Sequence, residues 1–176
     1  MIGTTGVTTR AYFRTLRILH LALIMGQVVF AMMVFVIKLV SISETVSLTP
    51  ELQDLLRYIL PGLALLGTGL SWLLFSSRIK ALKELTDPAA QYTGYRSACV
   101  LRYAILEAPS LIALVGFTLS NDYTFMAISA LIILVFILIR PTKATLISHL
   151  QPGYEQQQLL EDPAAILYEE HTSSNT

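Results

Sequence analysis

Two stretches of 20 residues, 18–37 and 58–77, carry no charged side chain; residues 103–120 hold a single carboxylate, and residues 123–139 none. Crossing ~30 Å of hydrocarbon takes about 20 residues of helix. Within lipid the backbone must satisfy its own N–H and C=O groups, so runs of this kind fold as helices or not at all. The whole chain agrees: 54% of its 176 residues are hydrophobic and 14% charged, and the mean hydropathy is +0.62, outside the range of soluble globular domains. The pattern predicts an all-α integral membrane bundle of four transmembrane helices, with spans at about 18–40, 55–77, 98–120 and 123–139.

Basic residues set the expected orientation. Arg10, Arg14 and Arg17 precede the first span; Arg78, Lys80, Lys83, Arg96 and Arg102 flank the central connection; Arg140 and Lys143 follow the fourth span. Lys38 and Arg57 alone lie on the other side. Ten against two places both termini and the central connection in the cytoplasm, and the chain is expected in an inner (plasma) membrane as a multi-pass protein.

Residues 1–17 read as an interfacial lead, with the three arginines on one helical face and Thr9 as a helix cap. Residues 18–150 form the membrane domain. In it Thr49-Pro50-Glu51 is a helix start, Pro61 and Pro109 interrupt the backbone ladder, and Gly62, Gly67 and Gly69 allow close helix approach. Residues 41–49 read as a Ser/Thr-rich loop, 88–95 as the longest polar connection, Asn121-Asp122 as a tight turn, and Thr142 as the cap of a short helix. Residues 151–176 contain five acids and no Lys or Arg, and are expected to be largely mobile. Arg57 and Arg102 are expected to snorkel, His20 to be an interfacial polar residue, and Trp72, Tyr58 and Tyr103 to lie in interface belts.

The net charge of +0 and its dispersal argue against nucleic-acid binding, and one cysteine, Cys99, excludes an intrachain disulfide. No phosphate loop, catalytic triad or His-Glu-x-x-His occurs, so no enzymatic activity and no cofactor or metal are expected. The chemistry concentrates in Glu107, near the middle of the third span. An ionised carboxylate there costs at least ~2.5 kcal/mol. Pro109 also leaves the Ile105 carbonyl without its helical donor. With Gln27, Thr68 and Ser110, and with Ser129 at similar depth, Glu107 makes an oxygen-rich set able to hold H⁺ or Na⁺. The alternative is a protonated Glu107 that hydrogen-bonds across helices.

The stretch Ala104-Ile-Leu-Glu107-Ala-Pro-Ser-Leu-Ile-Ala-Leu-Val-Gly-Phe117 resembles the carboxylate-bearing helix of the rotor-ring c subunits (proteolipids) of rotary ATPases, and residues 58–77 are loosely similar to their glycine-rich partner helix. That resemblance implies an ion-carrying Glu107. The chain departs from the family pattern: its glycines do not alternate, Ala108 follows the carboxylate, and Gln27 is on the first span. More generally it resembles small four-span proteins of bacterial inner membranes. Three functions are therefore expected in turn: a non-enzymatic membrane subunit or scaffold, as a homo-oligomer or within a larger complex; a proton- or sodium-linked transport component; and a lipid- or small-molecule-binding protein using the cleft near Pro61 and Pro109.

Overall fold

In the computed structural model the structure describes residues 4–40 and 49–171. Most of the 41–49 loop, and the two chain ends beyond these limits, lie outside the described residues. Among the described residues there are six helices: α1 (Thr9–Val40), α2 (Pro50–Lys83), α3 (Pro88–Ser120), α4 (Tyr123–Leu138), α5 (Lys143–Leu150) and α6 (Tyr154–Glu161). Strands β1 (Thr4–Thr8) and β2 (Ile166–His171) complete them. The first three helices are long and apolar enough to cross a membrane, and there are up to four spans if α4 and α5 count together as one broken span. Leu65, Leu66 and Leu138 are each more than 70% exposed, which suits a chain whose surroundings are acyl tails rather than water. The chain is a helical membrane protein.

Local chemistry explains the helix ends. The Thr8 hydroxyl, not that of Thr9, accepts the Ala11 N–H at 3.3 Å; Thr9 is instead fully buried and donates to the Leu159 carbonyl at 2.9 Å. Pro50 opens α2 with its missing N–H at a position that needs none. Asp87 accepts from the N–H groups of Ala89 and Ala90 at 3.0 and 3.2 Å, so α3 begins at Pro88. The expected polar connection 88–95 is therefore helical, and only residues 84–87 link α2 to α3. Thr142 and Thr145 form a reciprocal capping box at the start of α5.

The described residues fall into two compact units, one drawn from Met1–Leu19, Phe75–Val100 and Pro141–Thr176, the other from His20–Leu74 and Leu101–Arg140. In the first unit the part of the acidic tail that the structure describes is not the mobile segment expected: it forms α6 and β2, and Thr4–Thr8 pair with β2. β1 and β2 run antiparallel with Val7 opposite Tyr168, the Thr9 and Arg10 N–H groups donate to the carbonyls of Ala165 and Pro163, and Leu160 is fully buried. Composition alone missed this: Glu155, Glu161, Asp162 and Glu169 are exposed while Leu160, Leu167 and Tyr168 supply the apolar anchors. Tyr12 is the centre of this unit. Its ring meets Phe13, Tyr92 and Tyr168 edge-on, and its hydroxyl donates to the Tyr92 carbonyl at 2.8 Å. Burial pushes its phenol well above the ordinary value, so the hydroxyl stays a donor.

In the second unit α1 to α4 pack against one another. Val34, Leu60, Phe117 and Phe125, one from each helix, form a buried cluster. The α3–α4 turn has Asn121 in the left-handed region at φ 59°, and Asp122 caps α4 by accepting the Thr124 N–H at 2.9 Å. Arg57 does more than snorkel: its Nε and Nη2 donate to Asp122 Oδ2 at 3.2 and 2.8 Å. The N–H and hydroxyl of Thr124, and then Arg57, hold the Asp122 carboxyl below its ordinary value. A depressed carboxyl stabilises the fold fully above its unfolded pKa, and that contribution is lost as pH falls through the folded one. Asp122→Ala is expected to lose about 1 kcal/mol with the cap. Asp122→Asn keeps an acceptor, and should melt with less acid dependence than the native chain across an acid-to-neutral series of thermal scans. Equal acid dependence in the two proteins would rule out this role.

Candidate functional site

The third helix organises the membrane unit. Tyr103, Leu106, Ser110, Ala113, Leu114 and Phe117 are buried along one face, as a helix of 3.6 residues per turn allows. Glu107 stands on the flank of that face, half-buried. Among the described residues no hydrogen bond or ion pair engages its carboxyl.

The opposite flank holds the prolines' partner glycine. A methyl group on Gly67 would stand 2.7 Å from Pro109 Cγ and 3.6 Å from the Ile105 carbonyl oxygen, so α2 and α3 touch there and the carbonyl freed by Pro109 faces the glycine. Gly62 and Gly69 have nothing within 4 Å of such a methyl; of the three expected contact glycines, Gly67 alone makes a close approach. Beside this contact an open apolar groove of about 670 Å³ runs between α2 and α3, with Leu66 and Leu70 on one wall and Ala104 and Ala108 on the other. At 100° per residue, Glu107 lies about 160° around the helix from Pro109 but about 60° from Ala104, so the carboxylate stands far from the Gly67–Pro109 contact and beside the groove's Ala104 edge.

The four residues expected to share an ion have separate engagements. Thr68 donates to the Ala64 carbonyl of its own helix at 2.8 Å. Ser110 is fully buried with its Oγ 2.9 Å from Ser129 Oγ. Gln27 is 1% exposed, and neither atom of its carboxamide has a partner. No hydrogen bond joins any of the four to another.

Two residues read as interfacial are interior. His20 is 4% exposed, stacked on Phe136 at 5.4 Å and tilted against Tyr103 at 4.9 Å; Tyr103 and Phe136 meet at 5.2 Å. Trp72 and Tyr58 stay exposed, at 61% and 79%. The signal that separates these pairs was available: His20, Gln27 and Val34, and likewise Tyr103, Ser110 and Phe117, recur every seven residues, the repeat of a packed helical seam. Among the described residues no three His, Cys, Asp or Glu side chains gather in a way that would hold a metal. Comparisons with protein-family models, with curated proteins and with solved structures return no match for this chain.

Proposed function

We propose that this chain is a non-enzymatic subunit or small scaffold of a bacterial inner membrane, crossing it four times with both termini in the cytoplasm, and that Glu107 is where a neighbouring transmembrane helix docks. One observation carries the reading: a carboxyl near mid-span, half-buried on a helix flank, with no partner among the described residues of its own chain. Protonated, it offers one O–H donor and a carbonyl acceptor to a helix that supplies the complement. The adjoining apolar groove has no polar side chain in its walls, so it supplies contact area rather than chemistry. The fourth crossing is short, since the 16 residues of α4 reach about 24 Å at 1.5 Å each, and the ten-to-two distribution of basic residues supports the orientation.

A photo-crosslinker at Leu111, one turn from Glu107 on the same flank, tests this in native membranes. Glu107→Gln, which keeps both a donor and an acceptor, should leave the intermolecular adduct unchanged, and Glu107→Leu should abolish it. If instead Glu107→Asp preserves a proton or Na⁺ flux in liposomes that Glu107→Gln destroys, Glu107 is an ion carrier and the scaffold reading falls.

A further inference from the structure

The centre of the second unit holds polar groups with no direct partner, and the helix register shows what lies across from them. His20, Tyr103 and Phe136 form one layer, from α1, α3 and α4. Val34, Phe117 and Phe125 belong to another layer, further along the same three helices. On α1 and α3 these layers are two heptads apart, and Gln27 and Ser110 each lie seven residues from both. Ser129 lies seven residues from Phe136 on the antiparallel α4 and bonds Ser110. Counted from the His20–Tyr103–Phe136 layer, equal counts of residues give equal rise, about 10.5 Å per heptad, which brings Gln27 to the level of the Ser110–Ser129 pair; from Phe125 Ser129 is four residues away. The row His20, Gln27, Val34 repeats on one face of α1, and that face is the one turned to α3 and α4.

All three side chains are at least 99% buried. The Ser–Ser bond uses one hydroxyl hydrogen and leaves the second hydrogen and further lone pairs. The Gln27 carboxamide has two N–H donors and a carbonyl with no partner. An amide left unpaired in an apolar interior carries a penalty of several kcal/mol in hydrocarbon-like surroundings, and buried polar groups of this kind are ordinarily satisfied by internal water. The facing groups are neutral donors and acceptors, matched by a molecule that both donates and accepts.

We infer that one or two water molecules are bound in this layer, bridging the Gln27 carboxamide to the Ser110–Ser129 hydroxyl pair, so that the bundle is hydrated at mid-depth on the inner face of α3, independently of what Glu107 contacts on its flank. The test is water-edited solid-state NMR on the full chain in lipid bilayers, with ¹⁵N-labelled glutamine. Magnetisation should pass from water protons to Gln27 Nε2 well above the level seen at Ala113 and Leu114, buried neighbours with no side-chain polar atom, and Ser129→Ala should reduce it to that level. Gln27→Met should leave the melting temperature unchanged or lower it, because a satisfied group is removed. No transfer at Gln27, or a Gln27→Met protein that melts higher, would show a dry layer and overturn the inference. A Gln27 resonance that moves on exchanging Na⁺ for a large organic cation would overturn it too, by showing a bound ion in place of water.

Discussion

Tyr12→Ala is expected to destabilise the first unit by about 3–5 kcal/mol, the range for emptying an aromatic site in a packed core. The side chain is 2% exposed and stands where the first turns of α1, the start of α3 and strand β2 converge on one ring. Its removal withdraws the edge-on contacts from Tyr92 and Tyr168 together, leaving the tail to the β1–β2 ribbon, the Thr9 hydroxyl and the buried Leu160 and Leu167. Tyr12→Phe keeps the ring and loses only the bond to the Tyr92 carbonyl, for about 1 kcal/mol. Thermal denaturation of the purified protein in detergent measures both, and hydrogen exchange at the amides of 164–168 locates the loss. If the two variants melt together, the packing assigned to this ring is wrong.

The contact between α2 and α3 sets up the second large effect. In Gly67→Ala the new methyl meets the Pro109 ring at 2.7 Å, and a ring fused to the backbone cannot swing aside as a leucine tip can. The helices must separate, which is expected to cost about 1–3 kcal/mol. Pro109→Ala removes the obstructing ring and restores the N–H that the Ile105 carbonyl lacks. The double variant should therefore be more stable than the sum of the single changes allows, with a coupling of roughly 0.5–3 kcal/mol. Gly62→Ala and Gly69→Ala enter open space and are expected to be neutral or to gain up to about 1 kcal/mol of helix propensity. Unfolding in mixed micelles titrated with sodium dodecyl sulfate ranks the five variants against the native chain. Strict additivity at Gly67 and Pro109 would rule out the close approach.

How far each feature was legible follows from whether its cause is local. Helix α2 begins at Pro50 and runs beyond its apolar segment to Lys83, and the Asn121-Asp122 turn and the Thr142 cap also lie where short-range chemistry puts them. Each depends on a proline's missing donor or a side-chain oxygen within three residues. The start of α3 was legible too, in Asp87-Pro88, but the polarity of residues 88–95 suggested a loop; a helix outside the apolar core is free to be polar. The tail failed as a reading because the partners of residues 166–171 are some 160 residues away at the other end of the chain, and no local pattern records that pairing. His20 and Tyr103 failed for a similar reason. Both are amphipathic side chains close to span ends, and only a third helix, bringing Phe136, makes the position interior.

The sequence by itself determined that this chain is helical and belongs in a membrane, because apolar runs of this length leave the backbone no other way to satisfy its hydrogen bonds. It also singled out Glu107, since a lone carboxylate in such a run is conspicuous without any structure. Only the tertiary structure decided which flank of α3 carries Glu107, that Gly67 rather than Gly62 or Gly69 meets Pro109, and that Gln27 shares a level with the Ser110–Ser129 pair. Those facts depend on the rotation and register of one helix against another, which are set by the interlocking of side chains far apart in the chain.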